Sequence, residues 1–201
     1  MMETLFAGLA GGLLIAVLLI YIRNVLYANI GMNLSTWLIA TLATLIQNVT
    51  YYPTVGGEWH LLIVPTIISV GLIAITILGW RKSTFGQINP FDIGIFAITM
   101  LCLAVWVIFD GVVANVVLQF ALFASFIPTV SDLSAKKFED EAFPWGLASF
   151  GYIFQLIAVA NSIQVLLEDW PRLINPILVG LIGNGMVSWT AFRSKRRTQN
   201  D

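Results

Sequence analysis

Residues 37–47 read WLIATLATLIQ, and residues 145–155 read WGLASFGYIFQ. Each stretch opens on a tryptophan and reaches a glutamine ten residues later, so Trp37 and Trp145, like Gln47 and Gln155, stand 108 positions apart. The correspondence continues outward. Glu58-Trp59 is matched by Asp169-Trp170, and Pro65 by Pro176, each 111 positions on. Trp80-Arg81-Lys82 closes one apolar run, and Trp189 with Arg193-Ser194-Lys195 closes another. Six of the seven tryptophans form three pairs, and the seventh, Trp106, stands between the halves. Interfacial belts alone would space tryptophans by bilayer thickness in any helical bundle. That accounts for the tryptophans but not for the glutamine pair or the proline pair, so a duplicated three-helix unit is the expectation.

Composition places these units in lipid. Only 10% of the 201 residues are charged and 58% are hydrophobic, with a mean hydropathy of +0.87. Soluble domains carry roughly 25% charged residues, and this chain lacks the polar surface to cover such a fold. In a bilayer only helices and closed barrels satisfy the backbone, and the apolar residues lie in long runs rather than short alternating strands. Runs of about 20 residues are needed to cross. They occur at Leu5–Ile22, Leu34–Tyr52, Leu61–Trp80, Phe91–Phe109, Val112–Val130, Pro144–Leu167 and Leu173–Phe192. The breaks carry turn chemistry: Asn89-Pro90 with Asp92 just beyond, Asp110-Gly111, and Trp170-Pro171. The expected fold is therefore all-α and integral to the membrane. Its seven transmembrane helices form two parallel three-helix repeats (4–82 and 112–193) around a linker helix (90–109), with a tail at 194–201. Three is odd, so a direct fusion would invert the second unit, and the linker restores its orientation.

Charge sets the expected orientation. No basic segment precedes the first run, where Glu3 stands instead, so it reads as a retained span rather than a cleaved signal. Of the ten Lys and Arg residues, only Arg172 falls on one side of the seven-span plan. The rest mark the cytoplasmic side, with the N-terminus outside and the C-terminus inside the cell membrane.

The same inventory narrows function. The net charge of −1 gives no basic surface for nucleic acid. The single Cys102 supports neither a disulfide nor a metal motif, and no Ser/His/Asp constellation or phosphate loop appears, so neither catalysis nor a cofactor is expected. His60 stands beside Glu58 and Trp59 at the outer edge, as an interfacial residue. Asp92 and Asp110 lie at the ends of the linker helix, as caps and turn formers, and no acidic residue lies mid-span. Facilitated diffusion of a neutral solute suits such a bundle.

The N-out, C-in, 3+1+3 plan resembles the SWEET sugar transporters and the wider PQ-loop superfamily, and the nicotinamide riboside transporters share a similar plan. That family places a proline near the cytoplasmic end of the first helix of each unit. Here Phe126-Ile127-Pro128-Thr129 stands at that place in the fifth span, whereas the first span has Leu19-Ile20-Tyr21. The sugar transporters also place an asparagine in the third and seventh spans. Asn184 matches in the seventh, but its counterpart in the third is Ile73. The resemblance implies a transporter with a hinge at Pro128, and it does not extend to a sugar substrate.

The candidate site follows from depth and amide chemistry. Gln47 and Gln155 lie ten residues, about 15 Å, from the cytoplasmic end of their helices. That is half of a hydrocarbon core of about 30 Å. A two-fold axis along the membrane normal would turn such mates into a facing pair, and an amide offers donors and an acceptor without a charge to desolvate. The expected solute contacts are Gln47 and Gln155, with Asn184 and Asn161 adding to them. The competing expectation is a non-transporting scaffold or accessory subunit, in which buried amides bond to one another as glue between helices.

Overall fold

In a computed structural model the chain is described over residues 2–27, 32, 34–82, 90–108, 111–136 and 140–200. Among these residues it is all-helical, with no strand. Helix α1 spans Met2–Tyr27, α2 Leu34–Thr54, α3 Ile63–Lys82, α4 Pro90–Ile108, α5 Gly111–Ser134 and α6 Ala142–Ser162. A 3-10 turn at Trp59–Leu62 leads into α3. A single helical turn at Leu166–Asp169 precedes α7, which runs through Pro171–Ile174, a π-helical stretch at Asn175–Gly183 and Asn184–Asn200. Five segments are long and apolar enough to cross a membrane: Met2–Tyr27, Trp59–Arg81, Gly111–Ser134, Ala142–Ser162 and Pro171–Arg196. Helix α2 has the length, at 21 residues, but Gln47, Asn48 and its threonines dilute its apolar character.

Local chemistry explains the boundaries. Pro90 and Pro171 occupy first helical positions, where the missing N–H costs nothing. Gly111 opens α5, while Asn89 and Asp110 lie outside the described residues, as does the side chain of Asp92. After α2, Gly56 and Gly57 take φ values of 63° and 79°, which lets the chain reverse tightly into the 3-10 turn. Helix α6 stops at Ser162 rather than continuing to Leu167. The Asp169 carboxylate accepts the backbone N–H groups of Gln164 and Val165 at 2.9 and 3.2 Å and draws this segment out of the helix.

The packing has a regular order. Helix α3 packs against both α1 and α2, and α7 packs against both α5 and α6. Across the molecule, α1 packs on α6 and α2 on α5, while α4 lies on α5 and α2. Apolar clusters form at both ends. One gathers Tyr21, Val25, Trp37, Leu133, Trp145 and Val187, and the other Ala7, Tyr51, Val55, Leu61, Ala158 and Val159. Between them α7 comes so close to α6 and α5 that a side chain at Gly180 or Gly183 would collide with Tyr152 or Phe126.

Candidate functional site

A cavity of about 90 Å³ lies between the two triplets of helices, walled by α1, α2, α3, α5, α6 and α7. A water needs about 10–15 Å³ on this measure, so the space suits several waters or the polar part of a small solute. Its wall is built largely in pairs. Val17 and Ser125, Leu18 and Phe126, Thr36 and Pro144, Trp37 and Trp145, Ala40 and Ala148, and Thr44 and Tyr152 all line it, each pair 108 positions apart. Ile68 and Val179 add a pair at the 111-residue offset of the third helices.

One end is aromatic. Trp37 and Trp145 meet with ring centroids 5.9 Å apart at 50°, and Tyr21 packs on both, at 4.7 and 5.6 Å. Phe126 meets the edge of Trp145 at 6.1 Å. Behind them sits Asp140, in the connection from α5 to α6. Its Oδ2 accepts the Trp145 indole N–H at 2.8 Å and the Tyr21 hydroxyl at 3.1 Å, and its Oδ1 accepts the Glu141 N–H at 2.7 Å. Burial pushes its carboxyl up to about 6, although the indole, the Glu141 N–H and the Tyr21 hydroxyl all pull it down. Alongside, Asn24 donates to the Glu141 carboxylate at 2.9 Å. These bonds tie α1 to the start of α6.

Toward the other end the halves are joined by a buried polar chain. Asn175 of α7 donates to Gln119 at 2.8 Å, Gln119 to Asn115 at 3.3 Å, and Asn115 to Thr50 of α2 at 3.1 Å. Beyond it, Arg172 donates to the Thr54 carbonyl at 3.1 Å and to Glu58 at 3.2 Å, and it pairs with Asp169 at 2.9 Å. Near this end Glu3, Glu58 and His60 each bring one ligand atom within 4.8 Å of the others, a cluster able to hold a metal ion. The Arg172 guanidinium already supplies positive charge to Glu58 there.

The four amides expected at the site part company. Gln47 lines the cavity, is 2% exposed, and has no hydrogen-bond partner at its Nε2. Asn184 also lines it, but its amide donates to the Val179 and Gly180 carbonyls at 3.0 Å each, binding the last π-helical turn of α7 to itself. Gln155 is fully buried and stands off the cavity wall, where its Nε2 donates to the Leu61 carbonyl at 3.4 Å while its Oε1 has no partner. Asn161 is exposed and donates to the Ile157 carbonyl of its own helix at 2.7 Å. Pro128 is buried inside α5, near the aromatic end but off the wall.

Gln155 has a structural reason for its place. Leu61 lies in the 3-10 turn that leads into α3, and Pro65, four residues on at the first turn of α3, has no N–H with which to extend α-helical bonding back to its carbonyl. The Arg172 carbonyl stands in the same relation to Pro176, and there the Tyr51 hydroxyl donates, at 3.3 Å. Sequence reasoning missed Tyr51, Asp140 and Arg172. Only the two prolines pointed toward such partners, by announcing carbonyls that need donors from another helix. Searches of protein-family models, curated proteins and solved structures return no match to this chain.

Proposed function

We propose that the protein is a small-solute transporter of seven spans, built from a duplicated three-helix unit, that moves a neutral polar solute by facilitated diffusion through the cavity between its halves. The observation that carries this reading is Gln47, a buried amide donor with no protein partner, on the wall of a cavity lined by residues in repeat register. A buried donor left unpaired costs about 1–3 kcal/mol, and a solute acceptor would satisfy it. The equivalent packing of α3 on α1 and α2, and of α7 on α5 and α6, supports the duplication. So does the crossed pairing of α1 with α6 and of α2 with α5. Helices α2 and α4 complete the seven spans, and the plan resembles the PQ-loop and SWEET-like carriers. The ties at Asp140 and at Arg172 join the halves at opposite ends, as a carrier that opens one end at a time requires. The buried chain from Thr50 to Asn175, satisfied along its length, is the feature a scaffold would share.

Orientation follows the basic residues, with the C-terminus in the cytoplasm. Single cysteines at Gly57 and Ser83, in a Cys102→Ser background, test it. An impermeant thiol reagent on intact cells should reach only position 57, and labelling at 83 would reverse the topology. Uptake into proteoliposomes from a panel of sugars, nucleosides and amino acids tests the function. Movement of at least one neutral solute is expected, and none on a broad panel would favour the scaffold.

A further inference from the structure

A groove of about 720 Å³ runs on the outside of the bundle, between the first half of α6 and the last part of α7. Its floor is made of Gly146, Ser149, Gly185 and Ser188. Both serine hydroxyls are already engaged across the helix pair: Ser188 donates to the Ala142 carbonyl at 2.8 Å and Ser149 to the Leu181 carbonyl at 3.0 Å. The floor therefore offers an apolar surface and no free hydroxyl donor for a polar ligand. The rims are Phe143 and Phe150 on one side and Trp189 and Phe192 on the other, all exposed.

Charge identifies the occupant. At the terminal end of the groove, the Arg193 guanidinium lies over the Trp189 ring at 4.6 Å and that of Arg196 over the Phe192 ring at 4.4 Å. Both rings line the groove, so both cations are held at its mouth rather than swinging free, with exposed Lys195 beside them. We propose that this groove binds an anionic glycerophospholipid, with an acyl chain along the glycine and serine floor and the phosphate headgroup between Arg193 and Arg196. A guanidinium takes a phosphate through paired N–H donors, and its stacking on an aromatic ring preserves that geometry. The proposal rests on the membrane placement of α6 and α7 and not on solute transport, so it stands or fails separately from the carrier reading.

The test uses the full-length protein purified in mild detergent and titrated with phosphatidylglycerol or phosphatidylcholine of identical acyl chains. Thermal melts and native mass spectrometry are the two readouts. Phosphatidylglycerol should raise the melting temperature by several degrees more than phosphatidylcholine and should survive as an adduct. Arg193→Gln with Arg196→Gln should keep the lipid-free melting temperature and lose the difference between the lipids, while Arg193→Lys with Arg196→Lys, which keep the charge but not the forked donors, should retain only part of it. Gly185→Leu, at a position where an added Cβ meets only the Ser149 hydroxyl at 3.7 Å, should fill the floor and abolish both adducts. Equal stabilisation of the wild type by the two lipids would overturn the proposal. So would a phosphatidylglycerol preference that survives the glutamine pair, or a dimer that Gly185→Leu dissolves, because a second copy would then fill the groove. The arginine variants decide the matter even if Gly185→Leu fails to fold.

Discussion

Gln155 on α6 is fully buried and donates its amide to the Leu61 carbonyl of the other half, whereas Gln47 on α2, 108 positions earlier, is 2% exposed and its amide donates to nothing. The two were expected to act alike, and their surroundings set them apart. Pro65 has no N–H to give back to the Leu61 carbonyl in the turn before α3, and Gln155 crosses over to donate to it. Pro176 does the same to the Arg172 carbonyl on α7, but there Tyr51 supplies the hydroxyl. The counterpart of Tyr51 in the second half is Val159, which has no hydroxyl to offer, so in that half only the glutamine can do the work. One tyrosine thus releases one member of an amide pair from structural duty and leaves its donor at the cavity. Residue pairs at one sequence spacing line the wall, and at one such pair, Gln47 and Gln155, the two members meet different partners, which leaves one unpaired donor on it.

The sharpest way to break this comparison is to remove each glutamine in turn. Gln47→Leu should cut solute uptake by about tenfold or more, the equivalent of a lost bond of about 1–3 kcal/mol, while leaving the melting temperature near that of the wild type. Gln155→Leu should do the reverse. It leaves the Leu61 carbonyl buried without its donor, so stability should fall by about 1–3 kcal/mol in detergent unfolding, with the residual folded protein still transporting. Equal phenotypes for the two variants would dissolve the distinction.

Tyr51→Phe sharpens it. Losing the hydroxyl should cost about 1 kcal/mol, and it opens the Arg172 carbonyl to Gln47, one turn away on the same helix. Uptake should fall several-fold as the amide is captured. The Tyr51→Phe and Gln47→Leu double variant should then lose more stability than the sum of the singles, because no donor remains for that carbonyl. Strict additivity would show that Gln47 never reaches it.

A smaller effect is expected at the aromatic end. Burial raises the Asp140 carboxyl to about 6, so the folded state keeps its proton where the unfolded chain has lost it. That contribution is fully present below the ordinary carboxylate range and is lost as pH rises through about 6. The melting temperature should accordingly decline over this window, and Asp140→Asn should flatten the decline. An unchanged slope would place the titration elsewhere. The smallest change is expected from Pro128→Ala. Its stability should move by less than about 1 kcal/mol, since alanine restores an N–H inside α5, but the solute flux should change if the proline hinges that helix. Flux equal to the wild type would make Pro128 a passive element of the core.

The order of apolar runs, the helices they form and the residues Pro90, Gly111 and Pro171 that open three of them were legible in the sequence, because hydropathy and backbone chemistry act over neighbouring residues. The 108-position spacing of Trp37 and Trp145 was legible too, but the meeting of the two indoles on the cavity wall was not. The end of α6 was not, because it depends on Asp169 reaching back to two N–H groups. Nor were the partners of the amides. Which donor reaches a carbonyl that a proline has left open depends on the helix lying across from it, and that helix is more than ninety residues away in the chain for Gln155 and more than a hundred for Tyr51. The sequence by itself therefore determined which residues enter the apolar helices and which are too polar to rest there alone. Only the tertiary structure decided which polar atoms found a neighbour, and that the unpaired Gln47 Nε2 lies on the cavity wall while the unpaired Gln155 Oε1 lies off it, because hydrogen bonds are short and directional and hydropathy is neither.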